Sequence, residues 1–377
     1  MSVDPLTFFN VLRKHHIDFF TGVPDSLLKD FCLCLDKNLS SDKHIIAANE
    51  GNAIALSIGY HLSTQKIPMI YLQNSGLGNI VNPLLSLADD DVYGIPMLLV
   101  IGWRGKPKTK DEPQHKKQGR VMIEMLKSME IPYKIIYKKD NRDEIRTKVS
   151  SIIKNIHKKN SPCAIIVEKG VFNKYSIRLS QQKQFKLNRE KAMHIVLENI
   201  KNNSVVVATT GYTSRELYEF RKDNNNQFNT DFLTVGGMGH ANQIAAGISM
   251  NSKKTVYCFD GDGSILMHMG SLAINPSLKL RNFKHIVFNN GSHESVGGQP
   301  TVGYKISFNE IAKNCGYKTT LVARTDKEIR SSIEKINNSR GTCLLEILVS
   351  NGTRNNLSRP DSTPKQNKEA LIAYLKK

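Results

Sequence analysis

Short apolar runs alternate with amphipathic helical stretches along this chain, and the whole alternation occurs twice. In the first half the runs fall at residues 18–21, 44–47, 69–72, 97–101, 133–136 and 164–167. Helical periodicity fills the gaps at 5–14, 26–35, 50–62, 78–87, 117–129 and 142–157. Uninterrupted apolar strands separated by helices are what a parallel sheet needs, because helices cover both of its faces and bury every strand. Residues 171–188 are polar and aperiodic, which places a linker there, between domains over 1–170 and 189–377. Beyond it, runs at 205–208, 232–235, 255–259, 285–289, 319–322 and 343–349 repeat the plan. The intervening helices are expected at 189–200, 214–223, 241–250, 270–275, 308–315, 326–337 and 365–375. The fold class is therefore α/β, with two doubly wound parallel-sheet domains. Such sheets bind ligands outside the carboxyl ends of their strands, so the strand-end loops are where chemistry is expected.

Composition narrows the function classes. A length of 377 residues suits two domains better than one. No apolar run approaches the roughly 20 residues needed to span a bilayer. The start, Met1-Ser2-Val3-Asp4-Pro5, has no basic segment leading into an apolar one, so no signal peptide is expected. The six cysteines show neither CxxC nor zinc-ligand spacing, which points to reduced thiols and a cytoplasmic protein. A net charge of +19 invites a nucleic-acid reading. The basic residues are scattered, however, as at Lys138-Lys139 and Lys158-Lys159, and aromatics make up only 7%, too few for stacking platforms. Neither nucleic acid nor a membrane is an expected partner. The positive field instead favours small anionic ligands.

Two turns in the second half carry metal and phosphate chemistry. The run Phe259-Asp260-Gly261-Asp262-Gly263-Ser264 follows a predicted strand. There a hard oxygen ligand stands among glycines whose backbone can approach a phosphate closely. The next strand ends in Asn289-Asn290-Gly291-Ser292. Either turn alone reads as an ordinary Gly/Asn turn; together, with one helix between them, they read as one site. Val235-Gly236-Gly237-Met238-Gly239-His240 adds a glycine-rich turn around a bulky residue. Thr209-Thr210-Gly211-Tyr212-Thr213 is either a phosphate contact or a plain strand-to-helix turn. In the first half, Glu50 opens an Ala/Gly-rich helix, where by itself it would be a surface carboxylate favoured by the helix dipole.

Taken together these runs resemble the thiamine diphosphate-dependent enzymes. The resemblance implies two domains of the thiamine diphosphate-binding type. It implies that Asp262, Asn290 and the carbonyl of Ser292 hold Mg²⁺ on the cofactor's diphosphate, although the Asp262–Asn290 spacing is slightly longer than in familiar decarboxylases. Gly263 and Ser264 would face the phosphates, with Thr210 and Gly211 as further contacts. The Gly236 carbonyl would receive the ring's amino group, and Met238 would sit beneath the bent cofactor. Glu50 would hydrogen-bond the aminopyrimidine ring and promote its imino tautomer, a task that needs a carboxylate in a largely apolar pocket.

Longer stretches narrow the resemblance. Gly22-Val23-Pro24-Asp25-Ser26, Gln73-Asn74-Ser75-Gly76-Leu77-Gly78-Asn79, Ile101-Gly102-Trp103-Arg104-Gly105 and Asp111-Glu112-Pro113-Gln114-His115 are similar to the phosphonopyruvate decarboxylase family. Sulfopyruvate decarboxylases are close relatives. The implied reaction releases CO₂ from 3-phosphonopyruvate, leaving phosphonoacetaldehyde, with the cofactor ring accepting the electron pair. The alternatives are a sulfopyruvate decarboxylase and a catalytically silent binding subunit. His115 would transfer a proton or orient the substrate, unless it is only a solvent-facing loop residue. Asp25 is either a catalytic polar group or the cap of helix 26–35. Arg104 suits a phosphonate because a guanidinium matches a multi-oxygen anion in forked geometry; Lys106, Lys108, Lys110 and Arg120 share its basic loop. Asn74 and His293 are further substrate candidates, and His293 could equally brace the metal turn. The family pattern also implies a homodimer or higher homo-oligomer with active sites at the subunit interface.

Overall fold

The computed structural model describes residues 2–175, 185–224, 228–354 and 356–376. The chain divides into two units, Met1–Leu179 with His293–Gln299, and Ser180–Ser292 with Pro300–Lys377. Of the expected linker, residues 176–184 lie outside the described residues. On either side of that stretch, Phe172 bridges to Val3 and Asn188 bridges to Ser350, each in parallel.

The first unit holds strands β1 (Phe20–Gly22), β2 (His44–Ile46), β3 (Met69–Gln73), β4 (Leu98–Gly102), β5 (Tyr133–Ile136) and β6 (Cys163–Val167). Its helices are α1 (Pro5–Lys14), α2 (Lys29–Asn38), α3 (Glu50–Thr64), α4 (Leu77–Pro83), α5 (Pro113–Ser128) and α6 (Arg142–Lys159). The strands form one six-stranded sheet in the order β2-β1-β3-β4-β6-β5. Every neighbouring pair is parallel. β4 and β6 are buried along their whole length, which explains why they read as continuous apolar runs. One core cluster, including Phe8, Phe31 and Ile165, lies on one face; a second, including Ile54, Leu72 and Ile166, uses the alternate strand residues of the other.

The second unit repeats the design with β7 (Ser204–Ala208), β8 (Asp231–Leu233), β9 (Thr255–Gly261), β10 (Phe283–Asn289), β13 (Thr319–Ala323) and β14 (Cys343–Leu348), while the two-residue β11 (Ser292–His293) and β12 (Gln299–Pro300) stand at the two ends of the His293–Gln299 segment that groups with the first unit. Its helices are α7 (Arg189–Asn199), α8 (Tyr212–Asp223), α9 (Ala241–Asn251), α10 (Asp262–Met267), α11 (Ser271–Ser277), α12 (Phe308–Asn314), α13 (Asp326–Asn338) and α14 (Pro364–Leu375). Its sheet runs β13-β14-β10-β9-β7-β8 and is again parallel throughout. In both sheets the chain goes one way from its first strand and then returns to that strand's other side. The resulting switch points lie between β1 and β3 and between β7 and β9, the places where open α/β sheets hold ligands.

Three differences from the expected elements bear on the site. The helix expected from residue 26 starts at Lys29 with Leu28 as N-cap, so Asp25 is not that helix's cap. The helix expected from residue 117 starts at Pro113, since proline suits the first helical position, and this puts His115 in the first turn of α5 instead of a loop. The stretch 78–87 is not one helix but a 3₁₀ turn at Asn74–Gly76, α4, and a π turn at Leu84–Ala88. A short helix, α10, starts at Asp262 itself, as a helix start at this turn implies, and it precedes the helix expected at 270–275.

Candidate active site

In the first unit the catalytic candidates stand on strand ends. Glu50 follows β2 as the first residue of α3, whose N-cap Asn49 accepts the Asn52 N–H at 2.9 Å. Its side chain is turned inward and only 6% of the residue is exposed. One carboxylate oxygen, Oε2, accepts a hydrogen bond from Asn79 Nδ2 at 2.7 Å. The other lies over Gly76, where a Cβ would stand 2.3 Å from Oε1. The glycine therefore makes the room that the carboxylate occupies.

Asp25 follows β1 and is buried, and neither of its oxygens has a hydrogen-bond partner of good geometry. Burial raises its carboxyl to about 6, against the opposing pull of the Leu27 and Leu28 amides and the Arg104 charge. A Cβ on Gly102 would stand 2.1 Å from Asp25 Oδ2, so the end of β4 must be glycine for this carboxylate to lie across it. His115 is also buried, with Nδ1 unpartnered. Burial lowers it to about 4, helped by the Arg104 charge and opposed by Asp111. It is thus neutral at physiological pH, and nearly all of Asp25 is ionised only above pH 7.

Arg104 does not stand free. Its Nε and Nη2 donate to Asp111 Oδ2 and Oδ1 at 2.9 and 2.5 Å, and its Nη1 donates to Ser26 Oγ at 2.7 Å. Asn74, expected at the substrate, spends one donor and one acceptor on the Arg104 backbone, with Nδ2 donating to its carbonyl at 2.9 Å and Oδ1 accepting its N–H at 3.1 Å. Lys106 is paired with Glu168 and lies over the rings of Trp103 and Tyr137, so it is not a loose cation. Lys108, Lys110 and Arg120 are exposed. Neither Asp111 nor Asn79 was singled out by the sequence, although both lie inside quoted motifs.

The second unit gathers the diphosphate and metal candidates. Asp262 is 2% exposed, and burial raises its carboxyl to about 6 while the Thr301 hydroxyl and the Asn290 amide favour the charged form. Thr301 Oγ1 donates to Asp262 Oδ2 and accepts the Gly303 N–H at 3.0 Å. A Cβ on Gly303 would lie 2.8 Å from Asp262 Oδ2 and 2.5 Å from Asn289 Oδ1. Asn289 is the structural member of the Asn pair: Oδ1 accepts the Gly291 N–H at 3.1 Å, while Nδ2 donates to the Gly303 carbonyl at 2.7 Å and to Glu346 Oε1 at 2.9 Å. Asn290 Oδ1 accepts the Ser292 N–H at 3.2 Å. The Ser292 hydroxyl is buried without a partner. A buried carboxylate with no cationic side chain among its named partners, reached by the backbone N–H of Asn290, fits a hard cation. Thr301 had no sequence signal.

Ser264 Oγ, expected to face a phosphate, bonds within its own unit: it lies 2.8 Å from Thr209 Oγ1 and accepts the Gly239 N–H at 3.0 Å. This ties the end of β7, the glycine turn and α10 into one piece. Gly239, at φ 88°, has no room for a side chain, since a Cβ there would lie 2.6 Å from the His268 ring. Gly211, at φ 95°, is the N-cap of α8 beside Thr210. Gly236 and Met238 flank Gly237 and are partly exposed. His293 is buried, which lowers it to about 4.

Two family profiles match this chain. The one described as "Thiamine pyrophosphate enzyme, N-terminal TPP binding domain" covers residues 7–131, and "Thiamine pyrophosphate enzyme, C-terminal TPP binding domain" covers residues 209–347. The chain is 30% identical to the phosphonopyruvate decarboxylase of Streptomyces viridochromogenes, over 94% of this chain and 90% of that one. It is 29% identical to the phosphonopyruvate decarboxylase of Streptomyces hygroscopicus, over 91% of this chain and 86% of that one. It is 24% identical to the sulfopyruvate decarboxylase of Methanosarcina acetivorans, over 96% of each. The chain belongs to the thiamine pyrophosphate enzymes, and among them to the family of these carboxy-lyases. No helix among the described residues is long and apolar enough to cross a membrane.

Proposed function

We propose that this enzyme decarboxylates 3-phosphonopyruvate to phosphonoacetaldehyde and CO₂, using thiamine diphosphate and Mg²⁺. The observation that carries the substrate class is the group of polar side chains at the ends of β1 and β4. There a buried, unpartnered Asp25 carboxyl and a neutral His115 accompany a guanidinium that still has unbonded N–H groups. A guanidinium has five N–H donors, of which Asp111 takes two and Ser26 one. One N–H on each terminal nitrogen is left to donate to an anionic oxygen. The curated relatives named as acting on phosphonopyruvate support the phosphonate assignment.

The residues divide the work as follows. Asp262, Asn290 and the Ser292 carbonyl hold Mg²⁺, and the backbone around Thr210, Gly211, Gly263 and Ser264 receives the diphosphate. Gly236 and Met238 support the rings. The cofactor, once bound, supplies the electron sink for the pair released with CO₂. Glu50, steadied by Asn79, exchanges a proton with the aminopyrimidine nitrogen. Arg104 holds the phosphonate and so fixes which bond is broken, and Asn74 keeps the Arg104 backbone in place. His115 orients the substrate through an uncharged imidazole. Asp25, whose pKa of about 6 leaves an appreciable protonated share near neutrality, returns a proton to the carbon that loses CO₂. His293 is assigned to the substrate in this reading, and burial, which lowers its pKa to about 4, keeps the imidazole neutral.

The active form in this reading is a cytoplasmic homodimer or higher homo-oligomer, each cofactor being held by residues of two subunits. Six unpaired cysteines support the compartment. The test is CO₂ release from phosphonopyruvate by the purified protein, with and without thiamine diphosphate and Mg²⁺. Release that needs both supports the proposal. Tight cofactor binding with no release from any 2-oxo acid would make the chain a silent binding subunit instead.

A further inference from the structure

We propose that Asp111 is a positioning residue for the reaction: its carboxylate aims the Arg104 guanidinium and ties it to the first turn of α5, on which His115 stands. This rests on the reading of Arg104 and His115 given above.

Asp111 is where both ends of the loop between β4 and α5 meet. Its Oδ2 accepts from Arg104 Nε at 2.9 Å and from the Gly105 N–H at 2.8 Å, on the strand side. Its Oδ1 accepts from Arg104 Nη2 at 2.5 Å and from the Glu112 N–H at 2.8 Å, on the helix side. Four donors on one carboxylate, with a side chain only 6% exposed, make this a buried node and not a surface ion pair. Burial raises the Asp111 carboxyl, but the hydrogen bonds from Arg104 and the Gly105 N–H, with the Arg104 charge, outweigh it and hold the carboxyl down at about 2.

The rest of the loop is fitted around that node. Gly105, at φ 67°, passes so close to α5 that a Cβ on it would lie 1.9 Å from the His115 carbonyl oxygen. A Cβ on Gly119 would lie 1.9 Å from the Gly105 carbonyl oxygen. Trp103 Nε1 donates to the Gly119 carbonyl at 2.9 Å. Any shift of the Gly105 turn therefore moves the backbone of His115. On the guanidinium, Asp111 fixes one edge and Ser26 one nitrogen, while Asn74 fixes the backbone from both sides. The plane and direction of the remaining N–H pair are thus set before any anion arrives. Because the Arg104–Asp111 pair is close to neutral as a unit, this site selects by the geometry of its donors more than by net charge.

The experiment compares wild type with Asp111→Asn and Asp111→Ala. Asparagine keeps the size, but it replaces one acceptor by an N–H that faces the donors it should receive. Hydrogen–deuterium exchange followed by mass spectrometry on the peptides spanning residues 103–119 reads the loop without substrate or cofactor. Kinetics on whichever of phosphonopyruvate or sulfopyruvate the wild type turns over read the positioning. We expect faster exchange confined to residues 103–119 and a kcat/KM about tenfold to a hundredfold lower, the range a lost charged hydrogen bond gives. The loss should fall mainly on KM, with cofactor affinity kept. The double variant Asp111→Asn/Arg104→Gln should be no worse than the weaker single variant, because both remove one pair. Unchanged exchange in the loop overturns the proposal, and so do multiplicative losses in the double variant or equal losses of cofactor binding and thermal midpoint. A wild type inert on both acids, with the expected exchange change, would sink the substrate reading and leave Asp111 as the anchor of the loop.

Discussion

Gly76→Ala puts the Glu50 assignment under direct strain. Gly76 has φ −76° and ψ −8°, a conformation open to any residue, so the backbone has no objection to alanine. What objects is Glu50. The new Cβ would lie 2.3 Å from Oε1, 2.6 Å from Cδ and 2.7 Å from Cγ, and these are the three nearest atoms. Ordinary non-bonded contacts are about 3.5 Å, so the carboxylate must retreat by about 1 Å. That retreat weakens the 2.7 Å bond from Asn79 Nδ2. For the fold this is a modest overpacking of about 1–3 kcal/mol. For the chemistry, a misplacement of about 1 Å in a catalytic group costs roughly a hundredfold in rate. The variant should therefore fold, melt a few degrees lower, bind thiamine diphosphate and Mg²⁺, and lose at least about 99% of turnover. Deuterium exchange at the cofactor's C2 is the direct assay, since it reads the proton step that Glu50 serves without any substrate. A well-folded Gly76→Ala protein with wild-type C2 exchange would refute the claim that the carboxylate above Gly76 does this work.

Glu50→Gln should bind cofactor with the fold intact but lose most C2 exchange, because an amide cannot trade protons with the ring nitrogen; unchanged exchange would make Glu50 structural. Asp262→Ala should abolish Mg²⁺-dependent cofactor binding measured by calorimetry, and wild-type affinity would remove it from the metal site. Asp25→Asn should stabilise the protein in a pH-dependent way. The folded carboxyl is raised to about 6 from 3.8, so its ionised form burdens the fold. That penalty is absent below about pH 3, grows from about pH 4, and is complete above about pH 7, where it reaches up to about 3 kcal/mol. Thermal midpoints of wild type and variant should draw together toward about pH 3 and separate by several degrees at pH 7.5; a constant gap, or none, would count against a buried, unpartnered Asp25.

The parts of this fold visible in the sequence are those whose burial leaves a local pattern. β4 and β6 are covered on both faces, so Leu98–Gly102 and Cys163–Val167 spell out their state as unbroken apolar runs. Helix starts were less visible because caps and turns compete over a few residues. Pro113 marks the start of α5 by fitting its first position, and this moves His115 from a loop onto a helix. At the site, Glu50, Asp262 and Asn290 stand out because glycines and asparagines must surround them to shape the turns. Gly76 under Glu50 and Gly303 beside Asp262 show that steric need in space. Partners brought in from a distance leave no such mark. Ser26 reaches Arg104 across 78 positions and Thr301 reaches Asp262 across 39, so neither could be read from its neighbours. The same holds for Ser264, whose hydroxyl is spent on Thr209 and Gly239.

The central claim is tested most directly by steady-state CO₂ release from phosphonopyruvate, sulfopyruvate and pyruvate, run side by side on the enzyme loaded with thiamine diphosphate and Mg²⁺. The account predicts that phosphonopyruvate gives the highest kcat/KM, at least about tenfold above sulfopyruvate, and that pyruvate, with no second anionic group for the Arg104 fork, is poorer still. A preference for sulfopyruvate would contradict the phosphonate assignment while sparing the site, and equal turnover of pyruvate would contradict the role given to Arg104.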